Sequence, residues 1–264
     1  MLNMPNFDIA VLADLGQRDA QEDSVAARYV ETAGAGYAIV ADGMGGHDAG
    51  DIASGLVMSS WRGMLDNLLE TSPQDETALI DALPMAAMRA NASISDHVES
   101  HEDDIQMGST MLGALMLDSR LFWISIGDSP LYLVRDDQLH QLNDDHSMAP
   151  IIDAQAESGE ISRHDARTHP DRNLLRSVIM GAAIPKVDCP ETPFELLQDD
   201  VLVVASDGLQ YLDDDQIEAI VLRHKSEPAQ SVANELMSAV RALNHPDQDN
   251  VSVVVVKPSI PCTA

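Results

Sequence analysis

The 264-residue sequence predicts an α+β protein in which helices cover antiparallel sheets. Three observations lead to this prediction: short runs of β-branched and apolar residues, helical patterns that come mostly in pairs, and short loops between successive strands. No linker rich in Ser, Gly or Pro interrupts the sequence, and no repeat occurs at a solenoid period. Because 45% of the residues are hydrophobic, we expect one large domain over residues 1–264, with a substantial core.

The predicted strands are short apolar runs, a pattern typical of buried β-structure. In chain order they are residues 9–13, 37–41, 109–117, 121–126, 131–134, 201–205 and 251–256. The predicted helices carry apolar residues three and four positions apart, and they comprise residues 49–69, 77–98, 214–223 and 229–243. Three methionines are expected to fill gaps in the core: Met85, Met88 and Met107.

The charge balance argues against two classes of partner. The chain has 15 basic and 44 acidic residues, a formal charge of -29, so its average surface repels nucleic acids and anionic lipids. We therefore expect neither a nucleic acid nor a membrane as partner, and we expect a monomer. Residues 1–10 lack the pattern of a secretory signal. The two cysteines, Cys189 and Cys262, are too few for a disulfide framework, which favours a cytoplasmic location.

Several predicted strands begin or end beside an aspartate. Four aspartates lie at these strand ends, Asp42, Asp128, Asp207 and Asp249, and a fifth, Asp23, follows Glu22 just before Ser24-Val25-Ala26. Taken one at a time, such residues are commonly turn formers. If these strand ends meet at one edge of the sheets, however, the carboxylates need a compensating cation. Oxygen ligands without a Cys/His cluster favour magnesium or manganese over structural zinc, and two such ions can activate water against a phosphate ester.

Arg18 is a candidate for binding the phosphate group. It lies four residues before the pair Glu22-Asp23, in a chain with only 15 basic residues. A guanidinium group matches phosphate oxygens in a bidentate geometry. The alternative is a surface arginine paired with one of the many acidic residues. The residues alone leave both interpretations open.

Seven motifs follow one another along the chain: Asp14-Leu15-Gly16-Gln17-Arg18-Asp19-Ala20-Gln21-Glu22-Asp23, Val40-Ala41-Asp42-Gly43-Met44-Gly45-Gly46-His47-Asp48-Ala49-Gly50, Gly108-Ser109-Thr110, Gly127-Asp128-Ser129, Asp145-His146-Ser147, Ser206-Asp207-Gly208 and Asp249-Asn250. In this order they resemble the PPM family (type 2C) of metal-dependent protein phosphatases, and bacterial members in particular. The resemblance covers residues 14–256 and implies a four-layer α-β-β-α sandwich with two central antiparallel sheets. It also implies hydrolysis of phosphoserine and phosphothreonine in proteins, by direct in-line attack of a metal-bridging hydroxide. Bacterial members often oppose a Ser/Thr kinase.

The resemblance further assigns roles by position. Two to three manganese or magnesium ions would be held by Asp23, Asp42, Gly43, Asp128, Asp207 and Asp249. Asp42 would bridge two of the ions, and Asp128 would serve a third, weaker site. Arg18 would bind the substrate phosphate, and together with Asp42 it is the expected catalytic group. Glu22 and Asn250 would contact the metal ligands and not the ions themselves.

Three positions depart from the family pattern. Gln21 stands where asparagine is frequent, and Pro130 where arginine is usual. Met44 occupies the position at which animal members carry a histidine proposed as general acid. Protonation of the leaving alkoxide is therefore expected to come from metal-bound water, with His47 as the alternative. Residues 147–174 resemble the mobile flap beside the active site of bacterial members.

Two other functions are weighed against an active phosphatase. The first is a catalytically silent phosphoprotein-binding module on the same fold. Such modules usually lose one or more metal aspartates, whereas every matched aspartate is present here. The second is a binuclear hydrolase of small phosphate esters, against which the order of the motifs argues.

Overall fold

The computed structural model describes residues 6–46, 49–101 and 105–259. Within these ranges the strands form two sheets, and neighbouring strands in each sheet are antiparallel. The first sheet has the order β1 (Asn6–Asp14), β11 (Val251–Ser259), β10 (Val201–Ala205), β7 (Leu131–Arg135) and β8 (Gln138–Gln141). The second has the order β2 (Asp23–Val30), β3 (Ala35–Gly45), β5 (Met111–Leu117), β6 (Arg120–Ile126) and β9 (Phe194–Glu195), and the short β4 (Met107–Ser109) also pairs with β3.

Helices cover the outer face of each sheet. The pair α1 (Ala49–Thr71) and α2 (Glu76–Glu99) packs on the second sheet, and the pair α5 (Asp214–His224) and α6 (Ala229–Leu243) packs on the first. Two shorter helices, α3 (Ala149–Ser158) and α4 (Arg163–Arg167), lie between β8 and β9. This is the predicted four-layer α-β-β-α sandwich, which is confirmed. None of the helices in the described ranges is long and apolar enough to cross a membrane.

The alternation of strand side chains divides the interior into three cores. On β3, Tyr37 and Ile39 point toward α1 and α2, whereas Ala38 and Val40 pack in the core between the two sheets. The valines of β11 divide in the same way between the inter-sheet core and the core under α5 and α6. Because both faces of these central strands are buried, their sequences are almost continuously apolar.

The structure corrects several details. The strand expected over residues 109–117 is divided at Thr110 into β4 and β5. Strands β2, β8 and β9 were not predicted, because β2 and β8 are mixed or polar edge segments and β9 has only two residues. Met107 is buried as expected, but Met85 and Met88 are 54% and 71% exposed. The expectation for these two was wrong because α2 turns only one face toward the sheet.

Candidate metal centre

The register of the second sheet brings three of the predicted aspartates to one end of the sandwich. Asp23 at the start of β2 lies directly opposite Asp42 near the end of β3. Asp128 follows β6, which ends beside the start of β5 and therefore beside the same end of β3. Antiparallel pairing thus places residues from distant parts of the chain side by side.

The first sheet contributes two more aspartates at this end. Asp207 directly follows β10, and Asp249 stands just before β11, the antiparallel partner of β10. The hydroxyl group of Ser206 donates a 2.7 Å hydrogen bond to Asp23 Oδ2 and accepts a 2.9 Å bond from the backbone N–H of Ser252. These buried hydrogen bonds join the ends of the two sheets.

Asp42 and Asp207 form the centre of the cluster. Each of the two carboxyl groups influences the pKa of the other. Burial raises the pKa of Asp42 well above its ordinary value, and the charges of Asp207, Asp23 and Asp128 raise it further. Burial is also the main cause of the raised pKa of Asp207. The Oδ1 atom of Asp207 is buried without a hydrogen-bond partner, an arrangement that is costly for a polar atom.

The flanking aspartates share this electrostatic environment. Burial raises the pKa of Asp23 to about 6; the hydrogen bond from Ser206 opposes the shift, and nearby Asp207 adds to it. Burial raises the pKa of Asp128 to about 8, with a further contribution from Asp207. Carboxylates gathered in this way favour either protonation or a bound cation.

Asp249 is the most exposed of the five, and it is paired with Arg18. Arg18 Nη2 donates to Asp249 Oδ2 over 2.5 Å, and the Arg18 side chain is 53% exposed. The neighbouring Asn250 holds the loop that carries Arg18: its Oδ1 accepts from the backbone N–H of Glu22 over 2.7 Å, and its Nδ2 donates to the carbonyl of Leu15 over 2.8 Å. Asn250 therefore acts on the loop as well as on the neighbouring aspartate.

The loop that carries Asp128 is held by buried polar contacts. The backbone N–H of Gly127 donates to His146 Nδ1 over 3.3 Å, and the N–H of His146 donates to the carbonyl of Gly127 over 3.0 Å. Pro130, at the position where arginine is usual, is buried just before β7, and its carbonyl accepts from Ala205 N over 3.1 Å. A proline fits here because it stands at the start of a strand.

An open pocket of about 480 Å³ adjoins these residues. It is lined by Arg18, Glu22, Asp42, Gly43, Met44, Gly45, Thr110, Asp128, Asn173, Leu174, Leu175, Val178, Asp207 and Asp249. The wall contributed by residues 173–178 is the end of the predicted flap and the chain directly after it. Met44 lies in the lining, as its position in the motif suggested, whereas His47 falls outside the described residues.

The side chains fit a hard cation in chemistry, although they do not form a ready coordination shell. In the described ranges, no group of three or more His, Cys, Asp or Glu side chains has a geometry that could hold a metal ion as it stands. One predicted ligand, Asp249, instead contacts Arg18. The donors are all oxygen atoms, and the orphaned Asp207 Oδ1 is a free acceptor at the centre. Coordination would therefore require side-chain rotation.

Two residues of the site, Thr110 and Ser206, have roles that their motifs did not predict. Thr110 lines the pocket and bonds to the backbone of Asp42 over 2.9 Å. Ser206 connects Asp23 to β11. The only sequence signal was their place beside a glycine or an aspartate in a strand-end motif, and such a signal does not specify a long-range partner.

Comparison with known proteins agrees with this geometry. The family model described as protein phosphatase 2C matches residues 15–248. The chain is 32% identical over 226 residues to the serine/threonine phosphatase stp of Listeria innocua, and the match covers 83% of each protein.

Solved structures share the fold. The serine/threonine phosphatase PstP/Ppp of Mycobacterium tuberculosis superimposes with a TM-score of 0.77 at 30% identity, covering 95% of this chain and 98% of that one. A structure of the catalytic domain of PstP in complex with two manganese ions gives a TM-score of 0.75 at 29% identity, covering 96% and 98%. The chain therefore belongs to the protein phosphatase 2C family, the PPM phosphatases, which are hydrolases that act on phosphorylated proteins.

Proposed function

We propose that the aspartate cluster binds two to three manganese or magnesium ions and hydrolyses phosphoserine and phosphothreonine in protein substrates. The observation that carries the proposal is the convergence of five aspartates from both sheets, with the orphaned Oδ1 of Asp207 at the centre. When bound, the cations would supply an activated water and neutralise charge on the phosphoryl group.

The proposed ligands divide by their position in the cluster. Asp42, between Asp23 and Asp207, is suited to contact two ions, with the carbonyl of Gly43 next to it. Asp207 and Asp249, from neighbouring strand ends, would complete one side. Asp23 would act from the other side through bound water. Asp128 would serve the third ion, with Asp207 shared.

Arg18 would bind the substrate phosphate. Its exposed guanidinium faces the pocket beside Asp249, and it has donor groups beyond the one used in that ion pair. Water at the site is proposed to deliver the proton to the leaving alkoxide, because the described part of the pocket lining contains Met44 and no histidine. His47, which lies outside the described residues, is the alternative. Glu22 and Asn250 keep the Arg18 loop against β11.

The cellular setting is also a proposal. The charge of -29 supports a protein that binds neither nucleic acid nor anionic lipid, because like charges repel. The two cysteines, too few for a disulfide framework, support a cytoplasmic location, and a monomer is proposed with it. The inter-sheet core supports one phosphatase domain over residues 1–264, with residues 147–174 as its flap. The bacterial relatives support an opposing Ser/Thr kinase.

The deciding experiment measures phosphate release from a phosphothreonine peptide. We expect turnover only with added manganese or magnesium, and its loss with a chelator. Asp42→Ala and Asp207→Ala should each lower kcat by at least about 100-fold while the far-ultraviolet circular dichroism is unchanged, because the ions activate the water.

Asp66→Ala provides the matched control. Asp66 is a partly buried aspartate that binds Arg28 and Tyr37 away from the candidate centre, so this variant should keep its metal-dependent turnover. Full activity in both site variants would refute the proposal. Phosphopeptide binding without turnover in the wild type would identify a silent binding module, and faster turnover of a nucleotide than of the peptide would identify a small-ester hydrolase.

A further inference from the structure

Thr110 stands between β4 and β5, directly opposite Asp42. The pairs Val40–Leu112 on one side and Gly43–Ser109 on the other place Thr110 across from Asp42. The backbone N–H of Thr110 donates to the carbonyl of Asp42 over 2.8 Å, and the N–H of Asp42 donates to Thr110 Oγ1 over 2.9 Å. A side-chain hydroxyl therefore replaces a backbone carbonyl as the acceptor at this position.

The same hydroxyl reaches the loop that carries Asp128. Thr110 Oγ1 and Ser129 Oγ share a 2.9 Å hydrogen bond, and both residues are 1% exposed. Gly127 packs on the side chain of Thr110 with a φ of +113°, so a Cβ at residue 127 would lie 2.7 Å from the Cβ of Thr110. The Asp128 loop thus rests on Thr110 through polar and van der Waals contact.

We propose that Thr110 is a positioning residue, whose hydroxyl sets the separation between Asp42 and the loop of Asp128 and so prepares both carboxylates for metal binding. The inference rests on the proposed function of the cluster. Thr110 Oγ1 is the single side-chain atom hydrogen-bonded to both segments among the contacts of the described residues. Groups that orient metal ligands commonly change metal affinity by about 10–100-fold when they are removed.

If the Thr110 hydroxyl had only a structural role, the expected result would be different. In that case Thr110 would satisfy buried polar atoms and stabilise the fold, and its loss would lower the melting temperature without changing metal affinity. A positioning residue must change metal binding in protein that is still folded. Metal affinity and stability therefore have to be measured separately.

The test compares Thr110→Val with Thr110→Ser. Valine has nearly the shape of threonine but no hydroxyl, whereas serine keeps the hydroxyl. Manganese is titrated calorimetrically into chelator-treated full-length protein, and the melting temperature is recorded in chelator. We expect T110V to bind manganese about 10–100-fold more weakly than the wild type. We expect T110S to retain wild-type affinity.

Ser109→Ala is the matched control. Ser109 is 0% exposed and its hydroxyl donates to the carbonyl of Thr110 over 2.8 Å, but it bonds to neither Asp42 nor Ser129. This variant loses a buried hydrogen bond at the neighbouring position and should bind manganese like the wild type. If T110V does not fold, Ser129→Ala decides, because it breaks only the link toward Asp128 and should also weaken binding.

Each outcome separates the inference from the proposed function. A wild-type protein that binds no manganese would overturn the proposed function itself. Wild-type affinity in folded T110V, or in S129A where T110V is unfolded, would overturn the role of Thr110 alone. An equal loss of affinity in S109A would do the same, since it would show a general effect of lost buried hydrogen bonds.

Discussion

Single residues at the candidate centre combine burial with like charge. Asp42 is surrounded by Asp23, Asp128 and Asp207, and each of the four has a raised pKa because burial disfavours the ionised form. A structural carboxylate is normally paired with a cation, as Asp200 is with Arg135 at 2.6 Å. Among the residues that the structure describes, no ion pair involves Asp23, Asp42, Asp128 or Asp207, in contrast to Asp200, and this difference separates a candidate ion site from an ordinary buried salt bridge.

Arg18→Ala should weaken substrate binding more than it slows turnover. A hydrogen bond to a charged group contributes about 1.5–3 kcal/mol, so KM for a phosphothreonine peptide should rise about 10–100-fold at saturating manganese. Steady-state kinetics check this. Arg62→Ala is the control, because the Arg62 side chain is similarly exposed (58% against 53%) and its carboxylate partner is Asp66, away from the pocket. An unchanged KM in Arg18→Ala would remove Arg18 from the phosphate site.

The raised pKa of Asp128 predicts how stability depends on pH without metal. A pKa raised from 3.8 to about 8 means that the folded state binds more protons than the unfolded state across that interval. The contribution of Asp128 to stability is therefore present at low pH and lost as pH rises toward about 8. In chelator, Asp128→Asn should be more stable than the wild type at pH 8 and show no such gain at pH 4.

Urea unfolding at the two pH values checks this expectation. Asp14→Asn is a useful comparison, because Asp14 is ion-paired with Arg241 outside the cluster and the variant should not gain stability at pH 8. An Asp128→Asn protein that is less stable than the wild type at pH 8 would contradict the stated environment of Asp128.

At the scale of elements, the segment of residues 147–174, which we propose as the flap, reaches the pocket wall with its last two residues. The N–H of Met148 donates to the carbonyl of Leu174 over 3.0 Å, which closes the base of the segment. Arg172 forms a bidentate ion pair with Asp153 on α3, with N···O distances of 2.6 and 2.9 Å. These contacts bring Asn173 and Leu174 to the pocket wall, where Leu174 is 61% exposed.

Breaking the Arg172–Asp153 ion pair should change KM for large substrates and not for small ones. An exposed ion pair contributes up to about 1 kcal/mol, so Asp153→Asn should raise KM for a phosphopeptide by up to about fivefold. It should leave p-nitrophenyl phosphate unaffected, since that substrate needs only the metal centre and Arg18. Glu76→Gln is the control, because it breaks a similar bidentate pair between Glu76 on α2 and Arg120 on β6. Equal changes for both substrates would show that the flap acts on the centre itself.

The contact of α1 with the second sheet depends on one glycine. A Cβ at Gly113 on β5 would lie 2.2 Å from the ring of Trp61, which is 0% exposed. Gly113→Ala should therefore destabilise the protein by about 1–3 kcal/mol through overpacking. Gly55→Ala on α1 has nothing within 4 Å of the added carbon and should stabilise by roughly 0.5–1 kcal/mol. Denaturant unfolding measures both, and a neutral Gly113→Ala would contradict the packing.

At the scale of the whole molecule, a close-packed sandwich carries a large excess of negative charge. The formal charge is -29, and repulsion among these charges opposes the compact state. Because the Debye length falls from about 10 Å at 0.1 M salt to about 3 Å at 1 M, added salt screens this repulsion. The melting temperature in chelator should rise by several degrees between 0.1 M and 1 M potassium chloride. A fall over this range would show that ion pairs outweigh the net repulsion.

The sequence by itself determined the fold class, the order of most strands and helices, and the identity of the candidate aspartates. These features are local: apolar runs record burial on both faces, as in Val251–Ser259, and aspartates stand next to strands. The sequence did not predict the exposure of Met85 or the short strand β9, because exposure and edge pairing depend on neighbours distant in sequence.

Only the tertiary structure decided which side chains act together. It showed that Asp23 faces Asp42, that Ser206 joins the two sheets, and that Thr110 contacts both the Asp42 backbone and Ser129. The physical reason is that antiparallel register and packing between layers bring together residues that lie 19 to 183 positions apart in the chain. The sequence around a residue does not predict such a partner.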